Sequence, residues 1–140
     1  MITIYNDPTE EDYVMEKPFS ERVAEAKAAV PAISPQAAKE RKDSDSGTLF
    51  LDPRDPTGIA SSTGIIPGAL NLPLSKLTES ADADLPSELA SRSRPIVTAC
   101  QAGPMGALAA HALKQRGFTN VCFMDGGTQG WIDAGYPTNK

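Results

Sequence analysis

Ile96-Val97-Thr98-Ala99-Cys100-Gln101-Ala102-Gly103-Pro104-Met105-Gly106-Ala107 is the stretch on which the fold turns. Ile96 to Ala99 lack polar alternation, as expected of a strand buried on both faces. A short loop follows. Pro104 is preorganised to enter a helix, which is expected from about Met105 to Arg116 with Gly117 as its C-terminal cap. In open α/β sheets ligands bind at the carboxyl ends of strands, and Cys100 stands at such an end.

Working outward, Leu49-Phe50-Leu51 and Val121-Cys122-Phe123-Met124 read as two further buried strands. Helical segments are expected between them near Leu85 to Arg92 and after Cys100. That alternation implies a parallel, right-handed α/β sheet. Upstream, Ser34 caps and Pro35 starts a helix running to about Lys42, which stops in the Asp43–Gly47 turn. An earlier helix is expected from Phe19 to Val30, capped by Ser20, with Val23, Ala26 and Val30 on one face. Its thin apolar stripe suits packing on the domain or on a twin subunit, so a homodimer through this helix is one expectation. Residues 1 to 18, polar, acidic and broken by Pro8 and Pro18, are expected to be irregular.

The 140 residues fit one domain, and 40% hydrophobic with 22% charged residues is an ordinary globular composition. A net charge of -5 argues against a nucleic-acid partner, because phosphate binding needs clustered Lys and Arg. No apolar run approaches the ~20 residues of a membrane span, and Met1 to Asp7 lack a secretory pattern. These features point to the cytoplasm. With two cysteines and one histidine, neither a metal site nor another cofactor is expected. Parity allows a Cys100–Cys122 disulfide, but free thiols fit a cytosolic chain better.

The loop after Cys100 should gather backbone N–H groups around the sulfur, and the following helix dipole adds to their pull. The expected result is a lowered thiol pKa and a nucleophilic thiolate. Gly103 allows unusual backbone angles there, while Pro104 removes one N–H. The bland alternative is a small, inert cysteine at a strand end. From this stretch alone both readings stand.

Motifs along the rest of the chain bear on that choice. Leu51-Asp52-Pro53-Arg54, Gly64-Ile65-Ile66-Pro67-Gly68-Ala69-Leu70-Asn71, and Gly126-Gly127 with Trp131, Gly135 and Pro137 follow in order. With Ile33-Ser34-Pro35, they resemble the rhodanese-like domain family from about Ala32 to Thr138. The resemblance implies an N-terminal extension over residues 1–31 and a domain over 32–140. The implied fold has three layers, a central and mainly parallel sheet flanked by helices. It further implies that Cys100 accepts sulfane sulfur as a persulfide and passes it to cyanide or a thiol. Gln101, Ala102, Gly103, Pro104, Met105 and Gly106 would form the substrate loop. The six positions from Cys100 to Met105 are the length that goes with sulfur transfer, while related phosphatases have one residue more and end in arginine.

The family loop carries arginines where this chain has Gln101 and Met105, and its histidine position is Ile65. A loop without cations should use the thiosulfate dianion poorly and favour a polysulfide or a protein persulfide. Three functions therefore stand: a sulfurtransferase, a non-catalytic rhodanese-like binding or regulatory module, and, least favoured, a phosphatase. Asp52 and Arg54 either support the loop or form a structural charge pair. Asp125 reads as a turn residue, Trp131 as a core anchor, and His111 as structural or surface. Cys122 reads as buried and inert, with a resolving thiol as the alternative. Met105 lines the pocket mouth or simply packs.

Overall fold

The computed structural model describes residues 18–45 and 47–140. The irregular N-terminal segment expected from the sequence therefore lies almost wholly outside the described residues. The chain runs α1 (Phe19–Ala29), β1 (Ala32–Ile33), α2 (Pro35–Ser44), β2 (Leu49–Asp52), α3 (Pro56–Ala60), β3 (Leu70–Asn71) and α4 (Leu74–Glu79). It continues through β4 (Ile96–Thr98), α5 (Pro104–Gln115), β5 (Val121–Met124) and α6 (Gly127–Asp133). The five strands form one all-parallel sheet in the order β1-β5-β4-β2-β3.

Every residue of β2, β4 and β5 is buried, which explains why these runs carry no polar alternation. Alternate residues face opposite helical layers. Leu49, Leu51, Ile96, Val121 and Phe123 pack with Ala107, Leu108, Ala110 and Leu113 of α5 and with Ala26 of α1. Phe50, Val97, Cys122 and Met124 pack on the other side with Ala38 of α2 and Trp131 of α6. Trp131 is the large anchor there. Its rings meet Phe50 and Tyr136 edge-on, and its Nε1–H donates to the Pro137 carbonyl at 2.8 Å. Burying such a side chain contributes roughly 2–3 kcal/mol, and the satisfied N–H avoids a desolvation cost.

Ser34 caps α2 as expected, its Oγ accepting from the Ala37 amide at 3.1 Å, although the helix runs two residues past Lys42. Two expectations need correction. Ser20 lies inside α1, and Pro18 is the N-cap, with no side-chain cap bond. Proline has already fixed a suitable φ there, so the helix starts at Phe19 as expected without a side-chain cap. The Leu85–Arg92 segment holds only a 3-10 turn, Ser87–Leu89, after a second such turn at Asp82–Asp84. Pro86 and the serine-rich Ser91–Ser93 stretch leave too few residues for an α-helix. The helix after Cys100 begins at Pro104 itself.

Within the chain, α1 lies on α5 through Ala26 and Val30, and Lys114 Nζ donates to the Ala29 carbonyl at 2.7 Å. Among the described residues no helix is long and apolar enough to cross a membrane, and no cluster of three His, Cys, Asp or Glu could hold a metal.

Candidate functional site

β4 ends at Thr98, and Ala99 leads to Cys100 at the carboxyl edge of the sheet, between β2 and β5. The loop turns sharply at Gly103, whose φ of +132° is a conformation that suits glycine. That turn brings the Gly103 N–H onto Cys100 Sγ at 3.0 Å. Cys100 is 3% exposed, while Gln101 and Ala102 after it face solvent. Gly103 and Gly106 are buried, and Pro104 and Met105 are half-buried. The sequence reading expected several amides around the sulfur; one is in place. Pro104, the first helical residue, has no N–H to add.

The loop is held on both sides. Thr98 Oγ1 donates to the Gly106 carbonyl at 2.6 Å, tying the strand to the first turn of α5. A Cβ on Gly106 would lie 3.4 Å from the Cys100 nitrogen, so the glycine lets helix and strand approach closely. From the other side, the start of α6 reaches the loop backbone. The Thr128 amide donates to the Cys100 carbonyl at 2.6 Å, and the Gln129 amide to the Gln101 carbonyl at 2.9 Å. Gly127, at φ +61°, permits this contact; a Cβ there would stand 2.8 Å from both carbonyl oxygens.

No residue type in the sequence announces this clamp by itself. The paired glycines before Trp131 were its visible signal, but a glycine pair does not say which backbone approaches. Nor does the sequence single out Thr128, fully buried, whose Oγ1 has no hydrogen-bond partner among the described residues.

Asp52 and Arg54 form a buried, two-pronged ion pair, with Nη2 to Oδ2 at 2.6 Å and Nε to Oδ1 at 3.0 Å. The remaining guanidinium bonds go to Thr63 Oγ1, Ser62 Oγ and the Gly64 carbonyl. The pair thus ties the end of β2 to the 62–64 segment, and neither side chain bonds to the Cys100 loop. Beside that segment, Ile65 exchanges two backbone bonds with Asn139. Asp125 occupies the turn after β5, exposed, with its amide donating to the Ile33 carbonyl at 2.9 Å.

His111 lies farther along α5, lining a groove with Arg22, Glu25 and Leu74, and takes no part in the site. Both cysteines are free. Burial pushes the Cys122 thiol above its ordinary pKa, and the Arg41 guanidinium, with Nη1 3.8 Å from Sγ, pulls it partly back. A larger cleft of about 490 Å³, lined by Val30, Pro31, Lys114 and Phe118, opens beside the start of β5, at the opposite end of the strand from the Cys100 loop.

The family model for the rhodanese-like domain matches residues 34–134. YrkF of Bacillus subtilis, named as a candidate sulfur carrier protein, is 29% identical over 79% of this chain and 56% of its own length. The chain spans less than three fifths of the curated relatives it matches. Among solved structures, a Rhodopseudomonas palustris protein of unknown function, described as a possible tyrosine phosphatase, superposes with a TM-score of 0.78. It is 24% identical, over 88% of this chain and 95% of the other. The polysulfide-sulfur transferase homodimer of Wolinella succinogenes gives a TM-score of 0.66 at 23% identity, over 96% and 93% of the two chains. At these identities the structural likeness speaks for the fold alone.

Proposed function

Because the chain belongs to the rhodanese-like domain family, we propose that it is a sulfurtransferase carrying sulfane sulfur as a persulfide on Cys100. The Cys100 thiolate attacks the outer sulfur of a persulfide or polysulfide. A new S–S bond forms at Sγ, the donor's S–S bond breaks, and the donor leaves as a thiolate. An acceptor thiolate or cyanide then attacks the outer sulfur, and Cys100 departs as thiolate. One sulfur atom moves in each step, and no external oxidant or reductant is needed.

The Gly103 N–H aimed at Cys100 Sγ across 3.0 Å carries this reading. A backbone donor already pointing at a sulfur that must hold negative charge requires no reorganisation during the reaction. The start of α5 adds a partial positive charge of about half a unit. Neither Gln101 nor Met105 adds a cation, so the thiosulfate dianion is a poor donor and a neutral organic polysulfide or a protein persulfide a better one.

A second reading, the non-catalytic binding module, draws on the 3% exposure of Cys100 and its single amide donor. Intact mass after incubation with polysulfide separates the two. One added sulfur, absent from Cys100→Ala and removed by cyanide, supports the enzyme; an unmodified wild type supports the module. Phosphoryl transfer needs cationic clamps on the equatorial oxygens. The next arginine in the chain, Arg116, is bound to the Leu77 carbonyl and Asp82, so hydrolysis of para-nitrophenyl phosphate is not expected.

A further inference from the structure

We infer that Asp125, with Asp55 second to it, sets the charge preference of the Cys100 site. The favoured donors and acceptors carry a cationic group next to the reacting sulfur, neutral ones follow, and anionic ones are disfavoured. This rests on Cys100 being the reacting group, as proposed above, and adds the class of sulfur compound that reaches it.

The placement of charge along the sheet edge supports it. Among the residues directly following the five strands, the ionisable side chains other than the thiol are Arg54, Asp55 and Asp125. Arg54 is 6% exposed, and its charge is cancelled by Asp52. Asp55 and Asp125 are exposed, and no ion pair or side-chain hydrogen bond joins either to another described residue.

Asp125 stands next to the backbone that packs on the thiol's donor. It is bonded to Gly126, whose nitrogen lies 3.8 Å from where a Cβ on Gly103 would stand, and Gly103 donates to Sγ. Cations on α2 are engaged elsewhere: Lys39 pairs with Asp43, Lys42 lies over Phe50 and Arg41 reaches Cys122. The half-charge of the helix start offsets only part of two carboxylates. An approaching ammonium is thus drawn in, and an approaching carboxylate or sulfonate is repelled.

Three symmetrical disulfides test this without requiring sulfur transfer: cystamine (cationic), hydroxyethyl disulfide (neutral) and dithiodiglycolate (anionic). In each, the Cys100 thiolate attacks one sulfur, a mixed disulfide forms and one thiolate leaves. Intact mass gives the rate, Cys100→Ala identifies the site, and each rate is normalised to the same reagent's rate with mercaptoethanol. Rates are compared as ratios, so a changed thiolate fraction cancels.

The expected cystamine-to-dithiodiglycolate ratio is about ten at low ionic strength, from roughly twofold per pair of unit charges about 10 Å apart in water. It should collapse toward one in ~1 M salt, where the screening length is about 3 Å. Asp125→Asn keeps the backbone bond to Ile33 and should lower the ratio about two- to fourfold, with Asp55→Asn lowering it less. A normalised ratio near one in the wild type, or one unmoved by Asp125→Asn, overturns the inference. If the ratios behave as expected while cysteamine persulfide, whose ammonium group suits the site, leaves no single-sulfur adduct, sulfur transfer falls and the charge preference stands. If none of the three reagents reacts, Cys100 is out of reach and both fall.

Discussion

The Thr128 amide donates to the Cys100 carbonyl across 2.6 Å, so the backbone of the candidate nucleophile is held by the helix that follows the next strand. Cys100 therefore depends on two helices. The N-cap residue of α5, Gly103, supplies the donor to sulfur, and the first turn of α6 fixes the peptide behind it.

Gly127→Ala is expected to disturb that clamp. A methyl group at φ +61° would stand 2.8 Å from the Cys100 and Gln101 carbonyl oxygens. Overpacking of this kind costs about 1–3 kcal/mol, and the positive φ adds to it. Gly135, at φ +95° with open space around it, is the control, since Gly135→Ala meets only the backbone cost. Urea denaturation should rank Gly127→Ala as the less stable, and polysulfide labelling should slow only in that variant. Equal losses would show that the clamp has no energetic weight.

Thr128→Val should leave the protein as stable as before or make it more stable. Among the described residues the buried hydroxyl has no partner, and the small cavity Thr128 lines with Asp52, Ala99 and Ile66 has no room for a water. Exchanging an unsatisfied hydroxyl for a methyl of the same shape removes a desolvation cost of about 1–3 kcal/mol. A drop in the thermal midpoint would mean that the hydroxyl is bonded in solution.

Cys122 gives the protein an alkaline sensitivity. Its folded-state pKa is raised, chiefly by burial, so the thiol keeps its proton after the unfolded chain has lost its own. The corresponding stability is full below the unfolded thiol's pKa and is lost as pH rises from there toward the folded value. Thermal midpoints measured from about pH 7 to pH 10 should fall less steeply for Cys122→Ala than for wild type, whatever the packing cost of the substitution. Parallel curves would refute the assignment.

Restoring cations should change donor choice. Gln101→Arg with Met105→Arg places guanidinium groups at the exposed and half-buried loop positions and should raise thiosulfate:cyanide turnover at least tenfold, mainly through KM. The rate with cysteamine persulfide, which carries no net negative charge, should change much less. Efficient thiosulfate use by the wild type would instead show that the backbone alone suffices.

The three inner strands were legible because burial on both faces removes polar residues from them, and Ser34-Pro35 announced α2 through cap chemistry. The edge strands are harder to see. Leu70–Asn71 is two residues long and half-buried, so its pairing with β2 leaves no periodic trace. At the site, residue types showed Cys100, the sharp turn at Gly103 and the missing arginines. They could not show how many amides meet the sulfur, because that depends on the exact course of a few peptide planes. Asp52 and Arg54 were visible as a charge pair, but the direction of the guanidinium toward Thr63 and Gly64 is a matter of tertiary packing.

The backbone grip of Gly127, Thr128 and Gln129 on the peptide of Cys100 also orders events at the ribosome. Synthesis delivers the thiol more than two dozen residues before the segment that braces it, and β5 must be threaded between the two. Until that strand pairs, the sulfur sits in a chain that has not yet taken its final course. The observed backbone setting of Cys100 is thus among the last features the domain acquires, and a nascent chain halted short of Gly126 would carry the cysteine without that brace.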